Sequence, residues 1–406
     1  MVVASPLRTA PPLAAAPSFG SAFGRGQQLR LGMVSTYPPK LCGLATFASA
    51  LTSDLRAAGN RVDVVRVDDG SEPQAIGGAD EQRLVNGNVA SLRLAAARLS
   101  RCDAVIIQHE YGIFGGTDGD EVLDLIAAID APTIVVLHTV PLQPTTHQRE
   151  VLVELSQLAD RVVVMTASAR DRLLASYPVD AQTVETIPHG ATLPSPQQSD
   201  RRVSPRDRSL QLLTWGLLGP GKGVEHVIDA LPLLGSLPHP VQYTIAGVTH
   251  PKVFAAHGDV YRQSLVNQAR AVGVSRSVRF DDDYRDLAEL TRFVASTDVV
   301  VLPYDSVDQV TSGVLVDAIA AGRPVIATAF PHAVELLGDG AGIVVPHRDP
   351  VALANAIRAM VMDPNLLRDA TARAQRLAPS MSWARVADSY ATLARALLAT
   401  IESVAM

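Results

Sequence analysis

Residues 308–328 read DQVTSGVLVDAIAAGRPVIAT. A polar turn, Thr311-Ser312-Gly313, opens onto an apolar run. Gly322-Arg323-Pro324 breaks that run, and a β-branched segment leads to Thr328. Ser and Thr cap helix starts, and Gly followed by Pro ends helices. The stretch is therefore a helix feeding a buried strand, the repeating unit of a parallel α/β sheet. Free amides near Gly313 and Val314 at such a helix start favour an anion, and Asp317, one turn in, is placed to meet a hydroxyl. Simple capping beside a surface aspartate accounts for the same residues, so the choice rests on the rest of the chain.

The alternation extends in both directions. Toward the N-terminus, strands are predicted at 29–35, 61–67, 104–109, 132–139, 161–166 and 184–190, separated by helices at 44–59, 88–100, 120–130, 145–159 and 167–176. Residues 194–208, PSPQQSDRRVSPRDR, carry the composition of a linker. A second series follows, with strands at 210–216, 241–247, 277–282, 298–304, 324–328 and 342–346 and helices at 223–235, 258–273, 286–295, 313–321, 331–337 and 350–361. The expectation is two facing, doubly wound Rossmann-like α/β domains, 29–193 and 209–380, with a cleft between them. A last helix within 381–406 is free to pack across both, and the Ala-, Pro-, Ser- and Gly-rich residues 1–28 read as a disordered leader.

A chain of 406 residues is too long for one ordinary core, and 47% hydrophobic residues suffice for two. A net charge of −6 argues against a nucleic-acid binder. Cys42 and Cys102 are too few and too far apart to suggest a disulfide framework or a zinc site. No run reaches the ~18 apolar residues of a transmembrane segment, and prolines interrupt the leader as they would not in a signal peptide. A cytoplasmic protein is expected; a homodimer stays open.

Three more stretches carry chemistry. In TWGLLGPGKGVEHVIDAL (214–231) a strand ends at Gly216 and a turn through Gly221, Lys222 and Gly223 enters a helix, which suits a phosphate; a plain turn with a solvated lysine is the alternative. The spacing fits neither a Walker A motif nor G-x-G-x-x-G. In STYPPKLCGLATF (35–47), Gly43 precedes a helix and lets a ligand approach, unless the loop is an ordinary turn. His109, His138 and His189 each stand at the carboxyl end of a predicted strand, the ligand side of an α/β sheet, with Glu110, Tyr111 and the glycines Gly115 and Gly116 on the same rim. No tight spacing among them supports a metal.

In order and spacing these stretches resemble the retaining glycosyltransferases of family four, which have the GT-B fold. The likeness rests on the loop of Gly43, His138-Thr139, Ile187–Gly190, the Gly216–Gly223 loop and Ala320–Ala327. The segment MSWARVADSYATL (381–393) looks like that family's helix returning to the first domain. Leu217 replaces the family's arginine while Lys222 keeps its lysine; Gln309 and Asp317 replace the glutamates of its Glu-x7-Glu element, resembling a Q-x-T-S-G subgroup. Asp317 is one methylene short, so a ribose contact needs a closer backbone or a water.

The resemblance implies transfer of a hexose, mannose before glucose, from a GDP- or UDP-linked nucleotide diphosphate sugar to a carbohydrate or small-molecule hydroxyl, with no metal and no cofactor. Its implied catalytic residues are His138 and Lys222. Its implied donor contacts are Gly43, Gly216, Gly221, Gly247, Val248, Tyr284, Arg285, Gln309, Thr311, Ser312, Gly313, Val314 and Asp317. Its implied acceptor contacts are His109, Glu110, Tyr111, Gly115 and Gly116. A phosphorylase on the same fold and a non-catalytic sugar-nucleotide binder are the competing readings.

Overall fold

The computed structural model describes residues 28–40, 42–70, 81–195, 209–283 and 285–405. Nearly all of the expected leader, most of the linker 194–208, and Tyr284 lie outside the described residues. The first sheet has seven parallel strands: β1 (Arg30–Ser35), β2 (Arg61–Asp68), β3 (Glu81–Val85), β4 (Ala104–His109), β5 (Thr133–Leu137), β6 (Arg161–Val164) and β7 (Val184–Thr186), in the order β3-β2-β1-β4-β5-β6-β7. The second has six: β8 (Leu210–Trp215), β9 (Val241–Ala246), β10 (Val278–Asp281), β11 (Val299–Leu302), β12 (Val325–Thr328) and β13 (Gly342–Val345), in the order β10-β9-β8-β11-β12-β13.

Both sheets reverse their strand order once, between β1 and β4 and between β8 and β11. A parallel α/β sheet opens its ligand crevice at the carboxyl ends of the strands flanking such a switch point. The loops leaving β1, β4, β8 and β11 hold Gly43, Glu110–Gly116, Gly216–Gly223 and Pro303–Ser312, so topology alone gathers most of the chemistry-bearing stretches. The central strands are apolar throughout: β5 (TIVVL) is buried along its whole length, as a strand covered by helices on both faces must be.

Three elements differ from expectation. Strand β3 is not apparent in the sequence because it is an edge strand with only Leu84 buried. It is held instead by ion pairs to β2, Arg66 to Glu81 at 3.2 Å and Arg83 to Asp68. The helix expected over 258–273 is Val260–Ala271, and a helix the sequence reading lacks, Pro251–His257, precedes it across Gly258-Asp259. The helix expected over 223–235 tightens after Ala230 into a 3-10 turn, Leu231–Leu234, with Pro232 in its first positions.

The last helix, Trp383–Ala405, leaves the second domain and lays Trp383, Val386, Ala387, Tyr390 and Leu397 into the core beneath helix Gly43–Ala57 of the first. Each large apolar side chain so buried contributes about 1.5–3 kcal/mol of transfer free energy. A second tie lies nearer the cleft. The Glu335 carboxylate accepts hydrogen bonds from the amides of Ala167 (2.9 Å) and Ser168 (2.8 Å), the first residues of helix Ala167–Ser176. An anion there is favoured by the helix dipole. Thr166 Oγ1 donates to the Val310 carbonyl (2.9 Å) and Arg172 to that of Asp308 (2.8 Å), and Val310 is buried in the first domain's core. The β11 exit loop therefore bridges the two crevices.

Candidate active site

Gly223 starts helix Val224–Ala230 with φ +66, and a Cβ there would sit 1.8 Å from the Pro303 carbonyl oxygen. The glycine loop is thereby pressed onto the β11 exit, where the Asp305 amide donates to the Gly221 carbonyl at 2.9 Å. Lys222 rises between the two loops with its Nζ 4.6 Å above the Tyr304 ring. It is half-buried, no carboxylate pairs with it among the described residues, and burial lowers its pKa. Gly247 leaves β9 with its Cα against Gly216, so that a Cβ would lie 2.0 Å from the Gly216 carbonyl oxygen. Val248 beside it is exposed.

Ser312 caps helix Gly313–Ala320 by accepting from the Leu315 amide (3.3 Å), and its own amide donates to His332 Nδ1 (2.9 Å). His332 belongs to no motif in the sequence; the only cue is its place at a helix start beyond the carboxyl end of β12. Thr311 Oγ1 is buried with no partner among the described residues. Gln309 lies on the same loop, half-buried. Arg285, expected beside the base, gives its guanidinium to Asp281 at 2.8 and 2.9 Å and lies over Phe293, which braces the β10 exit.

Across the cleft, His189 Nε2 is 2.9 Å from where a Cβ on Gly313 would stand, so the two domains meet at this point. Phe47 presents ring edges to both His138 (5.0 Å) and His189 (4.9 Å). Burial is the main cause holding His138 down to about 3 and His189 and His109 to about 4, so all three rings are neutral at pH 7. Glu110 accepts from Thr139 Oγ1, and burial raises its pKa. Tyr111 donates to the Gln148 carbonyl (3.1 Å). His109 is fully buried against Tyr111 and does not reach the rim. Gly115 and Gly116 lie over the side chains of Glu121 and Asp120. Gly43 is exposed at the first turn of its helix, whose cap is the sulfur of Cys42, accepting from the Ala45 amide at 3.4 Å.

Residues 42–193 match the family described as Glycosyltransferase Family 4, and residues 209–363 that described as Glycosyl transferases group 1. The chain is a tandem of these two glycosyltransferase domains. Over 235 residues it is 29% identical to a glycogen synthase of Mycobacterium tuberculosis, covering 57% of this chain and 53% of that protein. Over 241 residues it is 28% identical to a D-inositol 3-phosphate glycosyltransferase of Geodermatophilus obscurus, covering 57% and 51%. It thus spans about half the length of the curated relatives it matches. Its fold is that of sucrose-phosphate synthase from Thermosynechococcus elongatus, with TM-score 0.72, 19% identity and 92% and 100% of the two chains covered. Anabaena HepE in complex with UDP and glucose gives 0.70, 16%, 91% and 100%. These neighbours make the architecture GT-B. No helix among the described residues is long and apolar enough to cross a membrane.

In the group 1 domain, Glu225, His226 and Asp305 bring ligand-type atoms within 4.8 Å of one another. Asp305 is already shared between His226 (3.0 Å) and Arg348 (3.3 Å), and Glu225 accepts from the Tyr261 hydroxyl (2.9 Å). The cluster acts as a brace between the glycine-loop helix and the β11 exit. Asp317, on the helix of the same domain, is half-buried, and burial pushes its pKa up to about 7. A carboxyl whose native pKa lies above its unfolded value stabilises the fold fully below the unfolded value and loses that contribution as pH rises through the native one. The unfolded value is about 4. Replacing Asp317 by Asn should leave thermal stability unchanged near pH 4 and raise it increasingly toward pH 8, read from unfolding curves across that range; a pH-independent difference would contradict the assignment.

Proposed function

We propose that the chain is a retaining glycosyltransferase that binds a nucleotide diphosphate sugar on the group 1 domain and transfers its hexose to a hydroxyl held against the family 4 domain. The observation that carries this reading is Lys222: a half-buried ammonium with no carboxylate partner among the described residues, at a switch point, beside a capped helix start. Such a site is completed by an anion. Lys222 and the amides near Ser312, Gly313 and Val314 take the diphosphate. Asp317 takes the ribose, Gln309 and Thr311 the sugar hydroxyls, and Gly216, Gly221, Gly247 and Val248 flank the diphosphate and base. The run Gln309–Gly313 is then the Q-x-T-S-G version of the donor element.

The acceptor hydroxyl attacks the anomeric carbon from the face the diphosphate leaves. The new C–O bond forms as the bond to phosphate breaks, and the departing phosphate oxygen takes the acceptor proton. His138 faces the reacting sugar, and Glu110, Tyr111, Gly115 and Gly116 border the acceptor. Closure of the cleft excludes water from the donor. Mannose from GDP-mannose is the first donor proposed; because HepE was solved with UDP-glucose, UDP-glucose is the second donor to be tested.

Thermal-shift measurements with UDP, GDP, ADP and inorganic phosphate, followed by mass analysis of GDP-mannose and UDP-glucose products, test the reading. A nucleoside diphosphate should stabilise the protein where phosphate does not. Stabilisation by phosphate alone would favour a phosphorylase, and nucleotide binding without any turnover a binding protein. Replacing His138 by Ala should depress transfer while nucleotide affinity stays nearly intact; equal loss of both would remove His138 from the reacting centre.

A further inference from the structure

We propose that Gln108 is a positioning residue that locks His138 as the neutral Nε2–H tautomer, presenting Nδ1 as a hydrogen-bond acceptor for a hydroxyl of the donor sugar. The proposal deepens the reading of His138 given above and rests on it for the sugar contact alone.

Gln108 lies in β4, where every residue of AVIIQH is buried, and is itself 0% exposed. An amide in such a place costs free energy unless its polar atoms are bonded, and a leucine would pack there without that cost. Its two ends have different partners. The amide nitrogen is 3.7 Å from Met33 Sδ on β1, and Oε1 is 2.8 Å from His138 Nε2 just beyond β5. A thioether sulfur accepts weakly and cannot donate. Only one amide orientation therefore satisfies both ends, with NH2 toward the sulfur and the carbonyl toward the histidine. A carbonyl oxygen only accepts, so His138 Nε2 carries the proton and Nδ1 keeps its lone pair.

The ring is held from two further sides. The His138 amide donates to the His109 carbonyl (3.1 Å), and the Phe47 ring meets the imidazole nearly edge-on at 84°. Nδ1 has no partner among the described residues and is not one of the buried unpartnered atoms, so it remains accessible. The titratable groups acting on the ring are His109 and His189, both themselves neutral at pH 7, and burial keeps His138 neutral as well. A neutral ring with its donor committed inside the sheet can only accept from the cleft.

The test uses the full chain labelled with 15N-histidine, together with Gln108→Met, which replaces the carbonyl by a far weaker acceptor at similar volume, and Gln108→Glu. Ring nitrogen shifts at pH 7 should show His138 protonated on Nε2 alone in the wild type and as a tautomer mixture in Gln108→Met. With UDP-glucose and GDP-mannose as probes, Gln108→Met should lower kcat about tenfold, with UDP or GDP affinity nearly unchanged. Gln108→Glu should move the acid limb of the rate profile to higher pH, because a carboxylate favours the imidazolium, whose Nδ1 donates instead of accepting. A wild-type ring protonated on Nδ1, or a tautomer unaffected in Gln108→Met, overturns the lock. The ring readout needs no substrate, so it stands even if neither sugar is turned over. A tautomer that shifts as expected while turnover and pH profile stay fixed overturns the sugar contact and, with it, the catalytic reading of His138.

Discussion

Replacing Lys222 by alanine should lower sugar transfer by about 10²–10³-fold, the usual cost of deleting one preorganised charge at a developing anion. In the proposed reaction the leaving diphosphate would gain charge as the bond to the anomeric carbon breaks, and a half-buried ammonium beside it would act with little screening. The same burial lowers the lysine's pKa in the empty site, so binding an anion should raise it again and tighten with falling pH across the titration of Lys222. The fold should survive, because Nζ rests on the Tyr304 ring and pairs with no carboxylate among the described residues. Steady-state kinetics and nucleotide titration of the variant decide the matter; near-normal turnover would remove Lys222 from the donor site.

The second large effect is structural. Gly223→Ala should destabilise the group 1 domain by roughly 3 kcal/mol and abolish nucleotide binding, because a left-handed backbone and a severe contact coincide there. Gly223 has φ +66 and a carbonyl oxygen 1.8 Å from the site of its missing Cβ. Gly221 is the control, with φ +87 but no atom within 4 Å of that site; its alanine variant should cost only about 1 kcal/mol of backbone strain. Denaturant unfolding of the pair separates contact from conformation, and equal losses would show that the approach of the glycine loop to Pro303 is not what holds it.

Much of this architecture is legible in the sequence because strand and helix periodicity are local properties. An interior strand needs no partner to be read: the apolar run Thr133–Leu137 already marks one, and Thr311-Ser312-Gly313 already marks a helix start. The polar edge strand Glu81–Val85 escaped because it is held by its backbone ladder and ion pairs to β2 and buries only Leu84, which no run of apolar residues announces. Cys42 serving as a helix cap escaped for a similar reason: sulfur is a weak acceptor and an uncommon choice at that position.

The sequence by itself determined two α/β series, the loops that flank their crevices, and the residues proposed to meet a diphosphate. Only the tertiary structure decided which polar groups are already committed and which remain free. Arg285 is bound to Asp281 while Lys222 stays unpaired by any carboxylate among the described residues. Gln108 is hydrogen-bonded to His138, and Glu335 caps a helix 168 residues earlier in the chain. The physical reason is that a hydrogen bond's worth depends on burial and on a partner's position, and parallel crossovers bring those partners together from far apart in the chain.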